Sequence, residues 1–248
     1  SSVSNDLAKK IKMLLGNRND VVVLPNSVDG QLFRPDSSTA LEQQELRASL
    51  RVDASESILG FSGELRHKKG LPFILAALHE VQQVRPAVLL VIGEVRPREQ
   101  AQLMTFAAEF PEAANRIIVT GRLESQADVA KYLQICDVVL QPSVWDGLPN
   151  SVLEAMACGK VVIASDAGGI PEVVDHGANG FAIPRAFLQN LGKAILEVLE
   201  LDEQRRRSIE EAARQRVVAN FHPDLESSRL DDLLKSLSLR SDGVRKRS

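Results

Sequence analysis

The sequence predicts an α/β protein, a doubly wound parallel sheet of six strands followed by C-terminal helices. Three observations predict it. Short apolar runs alternate with longer segments in which apolar side chains recur at helical spacing. One run, Ala87-Val88-Leu89-Leu90-Val91-Ile92-Gly93, is apolar at every position before its glycine, as a strand covered on both faces requires. Several runs end in glycine or in Pro-Ser, and the ligands of such sheets lie at that carboxyl edge.

Taken in order, residues 1–20 read as a charged, partly amphipathic helix ending at Gly16-Asn17, and Val21–Leu24 as a short strand. Pro25-Asn26-Ser27-Val28-Asp29-Gly30 is turn chemistry opening a linker, and a lead-in helix follows within 25–57. The regular alternation then begins. Strands are expected at Ile58–Gly63, Ala87–Gly93, Arg116–Gly121, Asp137–Leu140, Lys160–Ser165 and Gly180–Pro184. Between them lie helices over Gly70–Val84, Arg98–Phe110 and Gln126–Ile135, a central helix Val152–Cys158 closed by Gly159, and a short one near Ile170–Val174. These make a Rossmann-like domain over 58–220. Ala186 to about Asn220 reads as one helical segment, Phe221-His222-Pro223 as a break, 221–239 as a crossing helix and 240–248 as a disordered tail.

Composition narrows the function classes. In 248 residues, 44% are hydrophobic and 25% charged, with a net charge of -3, so no basic field points to nucleic acid. No apolar run approaches membrane-spanning length, and SSVSNDLAKK is not a signal peptide, which together predict a cytoplasmic protein. Cys136 and Cys158, the two cysteines, sit in apolar surroundings and are expected as buried free thiols. Neither G-x-G-x-x-G after a strand nor G-x-x-x-x-G-K-[ST] is present, which disfavours NAD enzymes and removes P-loop NTPases.

The chemistry concentrates in Gln141–Gly169. Asp146 and Glu154, eight residues apart, straddle a strand–loop–helix junction. A helix N-terminus there presents free N–H groups and a partial positive charge, which suits a diphosphate flanked by hydroxyl groups. The bland alternative is an ordinary crossover with solvated acids. Lys68-Lys69 likewise could be a solvated helix start. Glu154 is harder to dismiss, because an unpaired carboxylate on an apolar helix is costly. Of the histidines, His67 is a candidate ligand contact, whereas His79, His176 and His222 read as structural or solvated. Trp145 either stacks on a ligand or caps its loop.

From about Val22 to Leu239 the chain resembles the C-terminal donor-binding domain of the group 1 (family 4-like) retaining glycosyltransferases, which have the two-domain GT-B fold. The resemblance is carried by Pro25–Asp29 with Phe33 and Pro35, by Gly63-Glu64-Leu65-Arg66-His67-Lys68-Lys69-Gly70, and by Thr120-Gly121-Arg122-Leu123. Pro142-Ser143, Asp146-Gly147-Leu148-Pro149, Leu153–Gly159, Gly168–Glu172 and Asn179-Gly180 continue it in register. The resemblance implies a hexosyltransferase that uses a nucleotide-diphosphate sugar and retains anomeric configuration, with this chain as the donor-binding half. It implies catalytic roles for Lys69, which neutralises the leaving diphosphate, and Asp146, which holds donor-sugar hydroxyls. Glu154 would grip the ribose. Gly63, Arg66, Leu123, Gly147, Leu148, Pro149, Asn150, Ser151 and Val152 would complete the substrate site, largely through backbone N–H groups after Gly147. The family's arginine of G-R-L is Glu64 here, so either Arg66 takes over its charge or Glu64 points away.

The resemblance also implies no cofactor, and no D-x-D cluster stands out to hold a metal. Residues 1–24 would be the remnant of an absent N-terminal acceptor domain, through which any peripheral membrane contact would run. The isolated half would be inactive and free to dimerise through its exposed cleft edge. The alternatives are a non-catalytic nucleotide-sugar-binding module and a GT-B epimerase-type relative.

Overall fold

The structure, a computed structural model, describes residues 2–15, 21–35 and 38–245, with the side chains of the last helix described to residue 235. In chain order it contains α1 (Asn5–Leu14), α2 (Ala40–Ser49), β1 (Ser57–Ser62), α3 (Leu71–Gln82), β2 (Ala87–Ile92), α4 (Gln100–Glu109), α5 (Pro111–Ala114) and β3 (Ile117–Val119). There follow α6 (Gln126–Gln134), β4 (Val138–Gln141), α7 (Asn150–Ala157), β5 (Val162–Ser165), β6 (Phe181–Ile183), α8 (Leu191–Leu199), α9 (Glu203–Asn220) and α10 (Pro223–Arg245).

The six strands form one sheet in the order β3-β2-β1-β4-β5-β6, and every pairing is parallel. The doubly wound sheet expected from the sequence is therefore present. Its faces alternate along each strand, as the period of two dictates. In β2, Val88 and Leu90 enter one core with α6, α7 and α9, while Leu89 and Val91 enter the other with α3 and α8. All six residues of β1 and of β2 are buried, because helices cover both faces.

Strand order reverses between β1 and β4, which opens a crevice at their carboxyl ends. The loops leaving these two strands meet there. Gly70, at φ 91°, packs so closely that a Cβ on it would lie 2.2 Å from the Pro142 carbonyl oxygen, and Val144 N–H donates to the Lys68 carbonyl at 2.9 Å. No bulkier residue fits Gly70 without parting the two loops.

Four sequence expectations need correction. Val21–Leu24 forms no strand: it has only a single bridge between Val23 and Ser2, because no neighbouring strand completes a ladder. The helical stretch from Ala186 is interrupted, since Asp202 caps a new helix by accepting from Arg205 N–H. The segment at Ile170–Glu172 is a single 3₁₀ turn. Helix α10 continues to Arg245, so 240–245 are helical rather than a disordered tail. The expected helix stop at Gly16-Asn17 and the final residues 246–248 lie outside the described residues. Cys136 and Cys158 are buried and free, and burial pushes both thiols up to about 12, so both stay protonated and inert. Among the described residues no helix is long and apolar enough to cross a membrane.

Candidate functional site

Helix α7 organises the crevice. It starts at Asn150 directly after Pro149, which supplies extended backbone but no side-chain cap. It ends where Gly159 takes the left-handed conformation at φ 68°. Its buried face, Val152, Leu153, Ala155 and Met156, anchors it in the core. Two different environments flank it, one at its N-terminus and one beside Glu154 on its middle turn.

At the N-terminal end is an ion pair. The Lys69 ammonium, presented by a 3₁₀ turn over His67–Lys69, stands 2.6 Å from Asp146 Oδ2, and both side chains are largely shielded. Asp146 also accepts from the Ser143 hydroxyl at 3.0 Å and, through Oδ1, from Gly147 N–H at 3.0 Å. The Ser143 hydroxyl accepts in turn from Gln141 Nε2 at 2.9 Å, and Gln141 Oε1 accepts from the Ser151 hydroxyl at 3.0 Å. Gln141 and Ser143 are buried. The chain of bonds thus runs from Lys69 through Asp146, Ser143 and Gln141 back to the first turn of α7, and it fixes the loop by satisfying each buried polar group.

At the other side of α7 is Glu154. It faces a cleft of ≈ 400 Å³ at the ends of β1, β2 and β3, whose wall includes Gly63, Glu64, Glu94, Arg122 and Leu123. Among the described residues the Glu154 carboxylate has no hydrogen-bond or ion-pair partner, and burial pushes it up to about 7. A carboxyl in that state is partly protonated at neutral pH and has its hydrogen-bonding capacity unused. A larger groove of ≈ 560 Å³ lies between α3 and α4, walled by Leu75, Phe106 and Phe110. It includes none of these polar groups, and convergent polar groups rather than volume mark a site.

The structure therefore divides the expected residues. Lys69 and Asp146 are brought together as one pair; Gly63, Leu123 and Glu154 share the cleft. Arg66 joins neither directly: it pairs with Glu64 at 3.1 Å, and Glu64 also pairs with Arg96 at 3.1 Å. Glu64 is thus matched by two guanidinium groups, a resolution that neither alternative from the sequence described. Leu148 and Val152 are buried, so their side chains belong to the core. Of the backbone groups after Gly147, Pro149 has no N–H and Val152 N–H is taken by the Pro149 carbonyl at 3.2 Å. Gly147 N–H is likewise occupied by Asp146, as described above. Leu148, Asn150 and Ser151 are left as the N–H groups with no bond among the described residues.

Lys68 turns its ammonium over the Trp145 ring, 4.7 Å from the centroid. Partial desolvation, followed by the neighbouring Arg66, holds its pKa below the usual lysine range. Trp145 remains half exposed, at 52%. His79 stacks on Phe110 with centroids 4.0 Å apart, and His176 Nδ1 lies 3.0 Å from the Ala182 carbonyl, both structural roles. Sequence reasoning named Ser143 and Arg122 within motifs without giving either side chain a role, and it missed the parts played by Gln141, Glu94 and Arg96. A signal existed for Gln141: it is the polar terminus of an otherwise apolar strand, and a buried amide there requires partners. Among the described residues no group of three or more His, Cys, Asp or Glu side chains could hold a metal.

Residues 42–216 match the family model described as "Glycosyl transferases group 1". The D-inositol 3-phosphate glycosyltransferase of Segniliparus rotundus is 32% identical over 164 residues, covering 65% of this chain and 35% of that protein. The GDP-mannose-dependent monoacylated alpha-(1-6)-phosphatidylinositol monomannoside mannosyltransferase of Corynebacterium glutamicum is 28% identical over 94% of this chain and 61% of its own length. Among solved structures, Anabaena Alr3699/HepE in complex with UDP superposes with a TM-score of 0.81 at 26% identity, covering 95% of this chain and 63% of that one. The chain thus spans roughly a third to three fifths of the length of these proteins.

Proposed function

The chain belongs to the group 1 glycosyltransferases, and from that premise we propose that it is the donor-binding half of an enzyme that transfers a sugar from a nucleotide-diphosphate sugar to an acceptor with retention of configuration. The observation that carries this reading is α7 itself, which joins Glu154, unpartnered among the described residues, in a nucleoside-sized cleft to the Lys69–Asp146 pair at its N-terminus. The same protein superposed above was solved with UDP and, separately, with UDP-glucose.

In this reading the nucleoside occupies the cleft and its ribose hydroxyls donate to Glu154. The diphosphate lies along the start of α7, against the free N–H groups of Leu148, Asn150 and Ser151. When the anomeric C–O bond breaks, negative charge grows on the diphosphate, and Lys69 shifts from Asp146 toward it. Asp146, released by Lys69 but still held by the Ser143 hydroxyl and Gly147 N–H, accepts from donor-sugar hydroxyls with its remaining lone pairs. Lys68 and Lys69 stand beside Asp146 at the start of α7, so the positive charge of this edge lies where the diphosphate would sit.

Calorimetric titration of the chain with UDP, GDP and ADP tests the reading. One base should bind, and at a hundred times its dissociation constant it should stabilise the fold by about 2.7 kcal/mol. Glu154→Ala should weaken that nucleotide by roughly ten- to a hundredfold, the loss of charge-assisted bonds of about 1.5–3 kcal/mol. Binding that is indifferent to Glu154 would remove the carboxylate from the site.

A further inference from the structure

The linker motif Pro25-Asn26-Ser27-Val28-Asp29 has no part in the chemistry above, yet Asn26 reaches into the site. Its side-chain Nδ2 donates to the Leu148 carbonyl at 2.7 Å, across 122 residues of sequence. The neighbouring carbonyl, that of Gly147, accepts from Gly169 N–H at 2.5 Å. Two successive carbonyls of the donor loop are therefore held from outside the loop.

Peptide geometry gives this arrangement its consequence. In a trans peptide the C=O and N–H point in opposite directions, so holding the Gly147 carbonyl fixes the direction of the Leu148 N–H. The next peptide, Leu148–Pro149, carries no N–H, and its carbonyl is its one polar handle. Asn26 takes that handle, which sets the turn by which the chain enters α7 and hence where the Asn150 and Ser151 N–H groups lie.

Asn26 is itself anchored on both sides. Upstream, Leu24 N–H donates to the Ser2 carbonyl at 2.7 Å and Ser2 N–H to the Val22 carbonyl at 2.8 Å. Downstream, the Ser27 hydroxyl bonds the Glu226 carboxylate of α10 and Val28 N–H donates to the Phe221 carbonyl at 2.9 Å. The segment paired with the linker also covers the loop: Val3 Cγ2 would lie 3.0 Å from a Cβ on Gly147, and Ser4 Cβ 2.5 Å from one on Gly169. Ser4 is held in place where Glu172 accepts from Asn5 N–H at 2.8 Å and Asn5 Nδ2 at 2.7 Å.

We propose that Asn26 is a positioning residue of the donor site: by holding the Leu148 carbonyl it aligns the backbone N–H groups that receive the diphosphate. This rests on the functional reading given above. It makes a specific demand, because the diphosphate and the nucleoside are held by different parts of α7. Disturbing Asn26 should cost affinity for the diphosphate and leave the nucleoside untouched, whereas general destabilisation would weaken both.

The test is a comparison of UDP with uridine, GDP with guanosine and ADP with adenosine, titrated into the wild-type chain, Asn26→Asp and Asn26→Gln. Asn26→Asp is nearly isosteric but cannot donate at neutral pH, and should lower the diphosphate-to-nucleoside affinity ratio roughly tenfold, with nucleoside affinity unchanged. Asn26→Gln keeps a donor amide and should recover most of the ratio. If Asn26→Asp does not fold, Asn26→Ala takes the same comparison. An unchanged ratio in the donor-less variant, or equal losses of nucleoside and diphosphate, would overturn the inference alone. A wild-type chain that binds none of the diphosphates would overturn the functional reading and this inference with it.

Discussion

Asp146 and Glu154 are eight residues apart and stand at one crevice, but in opposite circumstances. Asp146 accepts from an ammonium, a hydroxyl and a backbone N–H. Glu154 accepts from nothing among the described residues and is pushed up to about 7 by burial. The first carboxylate is an organiser: its bonds hold the loop that carries it. The second is largely desolvated at the cleft wall and has no protein partner among the described residues, and a ligand hydroxyl would relieve its cost. Structure is invested in the loop before α7, and binding capacity is reserved at Glu154 on its middle turn.

The largest effect separating the two environments should come from Lys69→Ala. A preorganised cation at the leaving group is worth about 3–4 kcal/mol in the transition state, so sugar transfer by the active enzyme should slow by a hundredfold or more. Nucleoside affinity should barely move. Equal losses in both would mean that the two environments are not separate functions.

Glu154→Gln should reveal the cost carried by the second carboxylate. The Glu154 pKa is raised in the folded state, from about 4.5 to about 7, so folding is progressively penalised as pH rises through that window. The penalty is absent below pH ~4.5 and complete above ~7, where it amounts to about 3 kcal/mol. Thermal melts should therefore show the variant more stable than the wild type at pH 8 and indistinguishable from it at pH 4.5. A stability difference independent of pH would contradict the burial account.

A smaller effect probes the partnered carboxylate. Gly168 has φ 56°, and a Cβ there would fall 2.1 Å from the Asp146 carbonyl oxygen. Gly168→Ala should destabilise the fold by about 1–3 kcal/mol, from the left-handed backbone alone, and displace Asp146 from Lys69. Denaturant melts measure the first, and loss of diphosphate affinity with retained nucleoside affinity the second. The smallest effect is expected at Trp145→Ala, where the exposed contact with Lys68 is worth about 0.5–1 kcal/mol. A loss of nucleotide affinity beyond fivefold would give Trp145 a ligand contact rather than a loop-capping role.

Much of this was readable from residues in a row. The apolar runs at Ile58, Ala87 and Val138 became β1, β2 and β4 because a strand covered on both faces must be apolar throughout. Gly159 ended α7 because a left-handed residue closes a helix and only glycine adopts it freely. The apolar run Val21–Leu24 misled, since a strand is defined by a ladder and, among the described residues, it meets its neighbour at Ser2 through a single bridge. Asp202 was legible as a cap yet lost within a long helical pattern.

The sequence by itself determined the alternation of strands and helices, the crevice at the carboxyl ends, and the short motifs that mark the family. These are local properties, fixed by side-chain period, turn chemistry and helix ends. Only the tertiary structure decided that Lys69 meets Asp146 across 77 residues, that Glu64 lies between Arg66 and Arg96, that Asn26 holds Leu148, and that Glu154 is left without a partner among the described residues. The reason is physical. Whether a charged group is paired, screened or stranded depends on what the fold brings within about 4 Å of it, and sequence separation does not encode that distance.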